Sequence, residues 1–218
     1  MNFENKLISG QFVKRYKRFF ADVKINGKIV TAHCPNTGSM LGLLKKGNKV
    51  WLTKSNNPNR KLKYTLQIIQ DKKSKVGVNT HLTNKIVLHA LKNNLIKEFD
   101  KKIMIKPETN FGSNTRFDFF ITKDKYKAFI EVKNVTLSRK EGLAEFPDAI
   151  TSRGLKHIHE LLNASKKGYK IFILFVENLQ SKQSIFSFFL TAFDSESEYF
   201  GSISFAILKN LQSFLCIK

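Results

Sequence analysis

A change of period near residue 79 constrains this 218-residue chain more than any other feature. Before it, short apolar runs alternate with turn signals. After it, apolar residues recur at helical spacing and then in longer runs. Strand-like pieces at 19–25 and 28–32 flank Asn26-Gly27, a pair that tolerates positive φ and so predicts a tight hairpin turn. A turn-rich stretch at 35–39, an apolar piece at 40–44, the Gly47-Asn48 turn and strands at 49–53 and 63–69 follow. Short strands at roughly 10-residue spacing predict a small barrel or sandwich over residues 1–78.

From Asn79, Leu82, Ile86, Leu88, Leu91 and Leu95 fall at helical spacing, with Thr80 or Thr83 as the cap. Strands are expected at 103–109, 116–121 and 129–135, an amphipathic helix at 147–164 and a buried strand at 169–176. The order α-β-β-β-α-β makes residues 79–218 a mixed α/β domain.

Charge narrows the function classes. The chain carries 38 Lys and Arg against 17 Asp and Glu, a formal net charge of +21. Residues 1–100 hold a net +15 of it. Codon bias toward A and T explains Lys over Arg but not the shortage of acids, whose codons are also A-rich. A field of this sign favours polyanions. Two cysteines, Cys34 and Cys216, cannot build a disulfide framework or a four-thiolate zinc site. The amino terminus does not read as a signal peptide, and no apolar run approaches the roughly 18 residues of a membrane span. We therefore expect a cytoplasmic protein without membrane contact.

The stretch RFDFFITKDKYKAFIEVKNV is the most informative for chemistry. Alternation puts Arg116, Asp118 and Phe120 on one face of a strand and Phe117, Phe119 and Ile121 on the other; Glu131 and Lys133 share a face of the next. An antiparallel hairpin would bring Asp118 and Glu131 within roughly 5 Å of each other. Two such carboxylates repel unless a cation lies between them. Mg2+ or Mn2+ suits that place, because a hard ion takes carboxylate oxygens and leaves positions for phosphate and water. Lys133 could then orient an attacking water. The alternative is a cross-strand ladder of Asp118 and Glu131 with Arg116 and Lys133.

At these residues the chain resembles the PD-(D/E)XK nuclease superfamily. Together with VTAHCPNTGSMLGLL, NPNRKLKYTLQII, VGVNTHL and FPDAITSRGLKHIHEL, it more narrowly resembles the bacterial sugar fermentation stimulation protein A family. That resemblance implies an amino-terminal OB-like barrel, a nuclease-like α/β domain, and sequence-nonspecific DNA binding with a role in regulating sugar (maltose) metabolism genes. It marks Asp118 and Glu131 as metal ligands, Lys133 as the motif lysine and Glu108 as a third acid. Phe117 stands where the superfamily name has proline; the literal Pro147-Asp148 opens a helix with no E-x-K following.

For DNA contact, Arg15, Arg18, Arg60, Lys61 and Lys63 lie among aromatics that could stack on bases, although Phe19 and Trp51 are expected in the barrel core. Asn36, Thr37 and Gly38, in the CPNTG stretch, form a turn that either only backs a strand or offers backbone donors to phosphate. On the helix at 147–164, Arg153, Lys156 and His157 would reach a phosphate beside the acids, or form a solvated face with a Lys156–Glu160 ion pair. The functions expected are a metal-dependent nuclease, or a DNA-binding regulator that keeps the fold without turnover.

Overall fold

The computed structural model describes residues 3, 5–72, 74–96, 99, 102–112, 115–137, 143–145, 152–177, 185–187 and 203–208; for 143–145, 152–155, 177, 185–187 and 203–208 it describes the backbone alone. Strand β1 (Leu7–Tyr16) precedes the first strand-like piece expected from the sequence and is paired on both sides: Leu7–Gln11 with β4 (Lys49–Lys54) and Gln11–Tyr16 with β2 (Phe20–Ile25). Gly10 permits this crowding, since a Cβ there would lie 2.7 Å from Val23 Cγ1 and 2.9 Å from the Lys24 carbonyl oxygen. A register shift between Phe12 and Lys14 bends β1. The expected hairpin links β2 to β3 (Lys28–His33), with Asn26 and Gly27 at φ +47° and +82°.

Strands β5 (Tyr64–Asp71) and β6 (Ser74–Gly77) complete the sheet order β3-β2-β1-β4-β5-β6. Parallel pairing of Ala32 with Tyr64 and His33 with Thr65 joins β3 to β5 and closes β1–β5 into an OB-like barrel. Its interior is filled by Phe12, Val23, Val50, Leu52, Leu66 and Ile69. Two aromatics expected there lie elsewhere. Phe19 is 45% exposed in the β1–β2 turn, and Trp51 is half-buried on the barrel wall with the Lys49 and Lys75 ammoniums over its ring.

Helix α1 (Thr80–Lys92) is capped by Asn79, not Thr80 or Thr83: the Asn79 amide oxygen accepts from the His81 N–H. Its inward stripe is Thr83, Ile86, Val87, Ala90 and Leu91, and Leu95, beyond the helix end, is exposed. Then come β7 (Met104–Phe111), β8 (Thr115–Lys123) and β9 (Tyr126–Val135), an antiparallel meander whose last turn is only Asp124-Lys125. A short β10 (Leu143–Glu145) precedes α2 (Ser152–Lys166), so the expected start of that helix at 147–151 falls outside the described residues. Strand β11 (Lys170–Glu177) runs parallel to β9; β12 (Ile185–Ser187) pairs with β10; β13 (Ile203–Leu208) closes the five-stranded order β13-β11-β9-β8-β7.

Helix α1 covers one face of this sheet through Phe119, Ile121, Ala128, Ile130, Leu174 and Val176. The other face, with Phe111, Phe117, Phe129, Ile171 and Phe175, packs under Leu161 and Ala164 of α2 and continues into the barrel interior as one cluster. The barrel and the α/β layers thus share a core.

Candidate functional site

The pairing of β8 with β9 runs from Lys123↔Tyr126 to Phe119↔Ile130 and stops. Beyond that point β8 stays with β7 and β9 stays with β11, so the two strands part like a fork. The next slot would be Asp118 opposite Glu131, and both acids stand at the mouth of the fork. Side-chain alternation also shifts there. Phe117 packs with Phe129 and His157 on the α2 side, whereas Phe119 and Ile121 pack on the α1 side, although strict alternation puts all three on one face. The irregularity continues in β7, where Glu108, opposite Asp118, has a left-handed φ of +52°.

Four groups hold the acids. Asp118 Oδ2 accepts from the Val132 N–H at 2.7 Å and Oδ1 from Asn84 Nδ2 of α1 at 2.8 Å. Glu131 Oε1 accepts from Lys133 Nζ at 3.1 Å and lies 3.0 Å from His157 Nδ1 of α2. The acids are thus approached from the two helix-covered sides of the sheet and meet where the strands open. Burial, and then the Glu131 charge, push the Asp118 carboxyl up to about 6 against the pull of Val132, Asn84 and Lys133. Burial also opposes the Glu131 charge, but His157 and Lys133 outweigh it and hold that carboxyl below its ordinary value. The carboxylate oxygens of Asp118 and Glu131 are hard donors of the kind that a divalent ion takes.

Glu108 does not join them. Its left-handed backbone turns the side chain away to an exposed ion pair with Arg116, 2.8 Å distant, and no group of three His, Cys, Asp or Glu suited to a metal occurs among the described residues. His157, expected at a phosphate, is instead turned inward onto Glu131 because α2 packs Leu161 and Ala164 against the sheet. Lys156 is exposed on α2, and the side chain of Arg153 lies outside the described residues. Asn84 was not anticipated. Its signal was a polar residue three and seven places before Val87 and Leu91, at the margin of the inward stripe.

In the barrel the basic residues divide. Arg15 spends its guanidinium on backbone carbonyls, with Nε to Arg18, Nη1 to Gly38 and Nη2 to Asn36, and so acts as a clamp where a DNA contact was expected. Asn36 is buried, its side-chain oxygen accepting from the Gly38 N–H within the turn. Arg60 donates to Thr65 Oγ1 at 2.7 Å; Arg18, Lys61 and Lys63 are exposed. His33 lies beside Arg60 and is held below its ordinary pKa, first by burial and then by Arg60 and His81.

Residues 81–203 match the family described as sugar fermentation stimulation protein RE domain, and residues 13–78 match its N-terminal OB domain. The chain belongs to the sugar fermentation stimulation protein family. A sugar fermentation stimulation protein homolog of Pelagibacter ubique is 56% identical over 200 residues, covering 92% of this chain and 84% of that one. A homolog from Brucella ovis is 45% identical over 178 residues, 81% of this chain and 75% of its own. The fold is also similar to the solved structure of Pyrococcus furiosus SfsA in complex with Ca2+, with TM-score 0.82, 25% identity and coverage of 95% and 90% of the two chains. In this member of the sugar fermentation stimulation family, the matched regions correspond to the closed barrel and to the layers that carry the forked acids. Among the described residues no helix is long and apolar enough to cross a membrane.

Proposed function

We propose that the protein binds DNA through its basic surface and hydrolyses phosphodiester bonds at the fork, using Mg2+ or Mn2+ held by Asp118 and Glu131. The observation that carries the reading is the buried like-charged pair, in which the Glu131 charge helps push Asp118 up to about 6. The complex of the related Pyrococcus furiosus protein with Ca2+ supports it. A bound divalent ion would neutralise charge on a phosphate oxygen and favour ionisation of a water. Asn84 and the Val132 N–H hold Asp118 in place; His157 does so for Glu131. Lys133 keeps a cation beside the reacting phosphate, where it can orient water. DNA contact falls to the exposed Arg18, Lys61, Lys63 and Lys156, giving sequence-nonspecific, backbone-dominated binding in the cytoplasm.

A second reading is favoured by the ties on Glu131 from Lys133 and His157 together with the diversion of Glu108: a non-catalytic DNA-binding regulator of sugar (maltose) metabolism genes. The two are separated by incubating purified protein with single-stranded, duplex and branched DNA in Mg2+ or Mn2+. The nuclease reading expects metal-dependent cleavage that Asp118→Ala abolishes while DNA binding persists. Intact DNA in every case, with binding retained, leaves the regulator.

A further inference from the structure

The β1–β2 turn closes a hairpin at the pair Tyr16↔Phe20 with residues that do not favour the conformation it needs. Lys17 and Arg18 are consecutive non-glycine residues in the left-handed region, at φ +46° and +61°, a conformation that costs of order 1 kcal/mol or more at each. Their backbone is fixed from several directions. The Phe19 N–H donates to the Lys17 carbonyl at 2.7 Å, and the Cys34 N–H donates to the Phe19 carbonyl at 2.7 Å. Arg15 Nε donates to the Arg18 carbonyl at 2.9 Å, while its other nitrogens tie the turn to Asn36 and Gly38. The side chain this framework holds out is Phe19, 45% exposed and preceded in sequence by two exposed cations. A single exposed apolar residue is ordinary. An aromatic ring on a strained, clamped turn beside cations, at the end of a closed five-stranded barrel, is a prepared surface.

We propose that Phe19 is a stacking platform for an unpaired nucleobase of single-stranded DNA, with Lys17 and Arg18 meeting the flanking phosphates. This rests on the DNA-binding reading above and narrows it to a preference for strands whose bases are free. A duplex hides its base faces in its own stack and can offer this turn only phosphates, whereas a single strand offers both π-faces and charge. Because the Arg15 clamp fixes the turn before binding, little ordering entropy is lost on contact.

The test is fluorescence anisotropy of the full-length protein with a labelled oligothymidylate of about 15 nucleotides and with a duplex of the same length, comparing wild type, Phe19→Ala and Phe19→Trp. Phe19→Ala should weaken single-strand binding about five- to hundredfold, with duplex binding changed less than about twofold. Phe19→Trp should retain single-strand affinity, and its added emission should be quenched by the oligothymidylate but not by the duplex. An unchanged single-strand affinity for Phe19→Ala, or an equal loss on both DNAs, overturns the platform while leaving DNA binding intact. Wild-type protein that binds neither DNA overturns the DNA-binding reading with it. Sedimentation with phosphatidylserine vesicles that depends on Phe19, without such dependence on the oligothymidylate, would make the turn a membrane contact instead.

Discussion

Asp118 sits in an environment at odds with what its chemistry prefers. Burial, and then the Glu131 charge, push its carboxyl up to about 6 from its ordinary 3.8. Between those values the folded chain holds a proton that the unfolded chain releases, so this group's contribution to stability falls as pH rises from about 4 to about 6 and is flat above. Glu131, held low, contributes in the opposite sense. Replacing Asp118 by Asn isolates the first effect: metal-free Asp118→Asn should be more stable than wild type by about 1–3 kcal/mol near pH 8, with the difference vanishing near pH 4, as read by urea unfolding. That Asp118 and Glu131 would stand opposite each other beside Lys133 was legible from the expected hairpin register, although the alternation of β8 shifts at Asp118 itself. His157 and Asn84 as their supports were not, since the approach of two helices to one strand fork is a tertiary fact that no local spacing encodes.

At the scale of elements, the barrel hairpin was legible from Asn26-Gly27, and α1 from its apolar period. The start of β1 was not, because LISGQ has little apolar alternation and is a strand only by virtue of pairing with β4. Gly10 is what lets β1 pass so close to β2. Gly10→Ala should destabilise the protein by about 1–3 kcal/mol through forced separation of the two strands, measured as a lower denaturation midpoint with an unchanged slope. Arg15 illustrates the opposite error. A cation in a basic run reads as solvent-facing, yet the turn carbonyls of Arg18, Asn36 and Gly38 require donors, and Arg15 is the side chain in reach.

Across the whole molecule, the period change at residue 79 separates two kinds of secondary structure, but the interior does not divide there. One cluster runs from Phe12 and Leu52 in the barrel to Phe117 and Leu161 beyond it, and Thr80 Oγ1 donates across the junction to the Pro35 carbonyl at 2.7 Å. The sole tryptophan, Trp51, reports the barrel, and α1 and α2 dominate helical circular dichroism. The two probes should therefore trace one coincident unfolding transition; separate midpoints would show that the shared core does not couple the parts. In the proposed reading the fork accepts a divalent cation in a protein whose charge of +21 otherwise attracts anions. Mn2+ binding followed by electron paramagnetic resonance tests that most directly. Wild type should show one site whose affinity rises as pH passes through about 6, weakened at least about tenfold by Asp118→Asn or Glu131→Gln. Mn2+ binding that is absent, or unchanged in both variants, would contradict it.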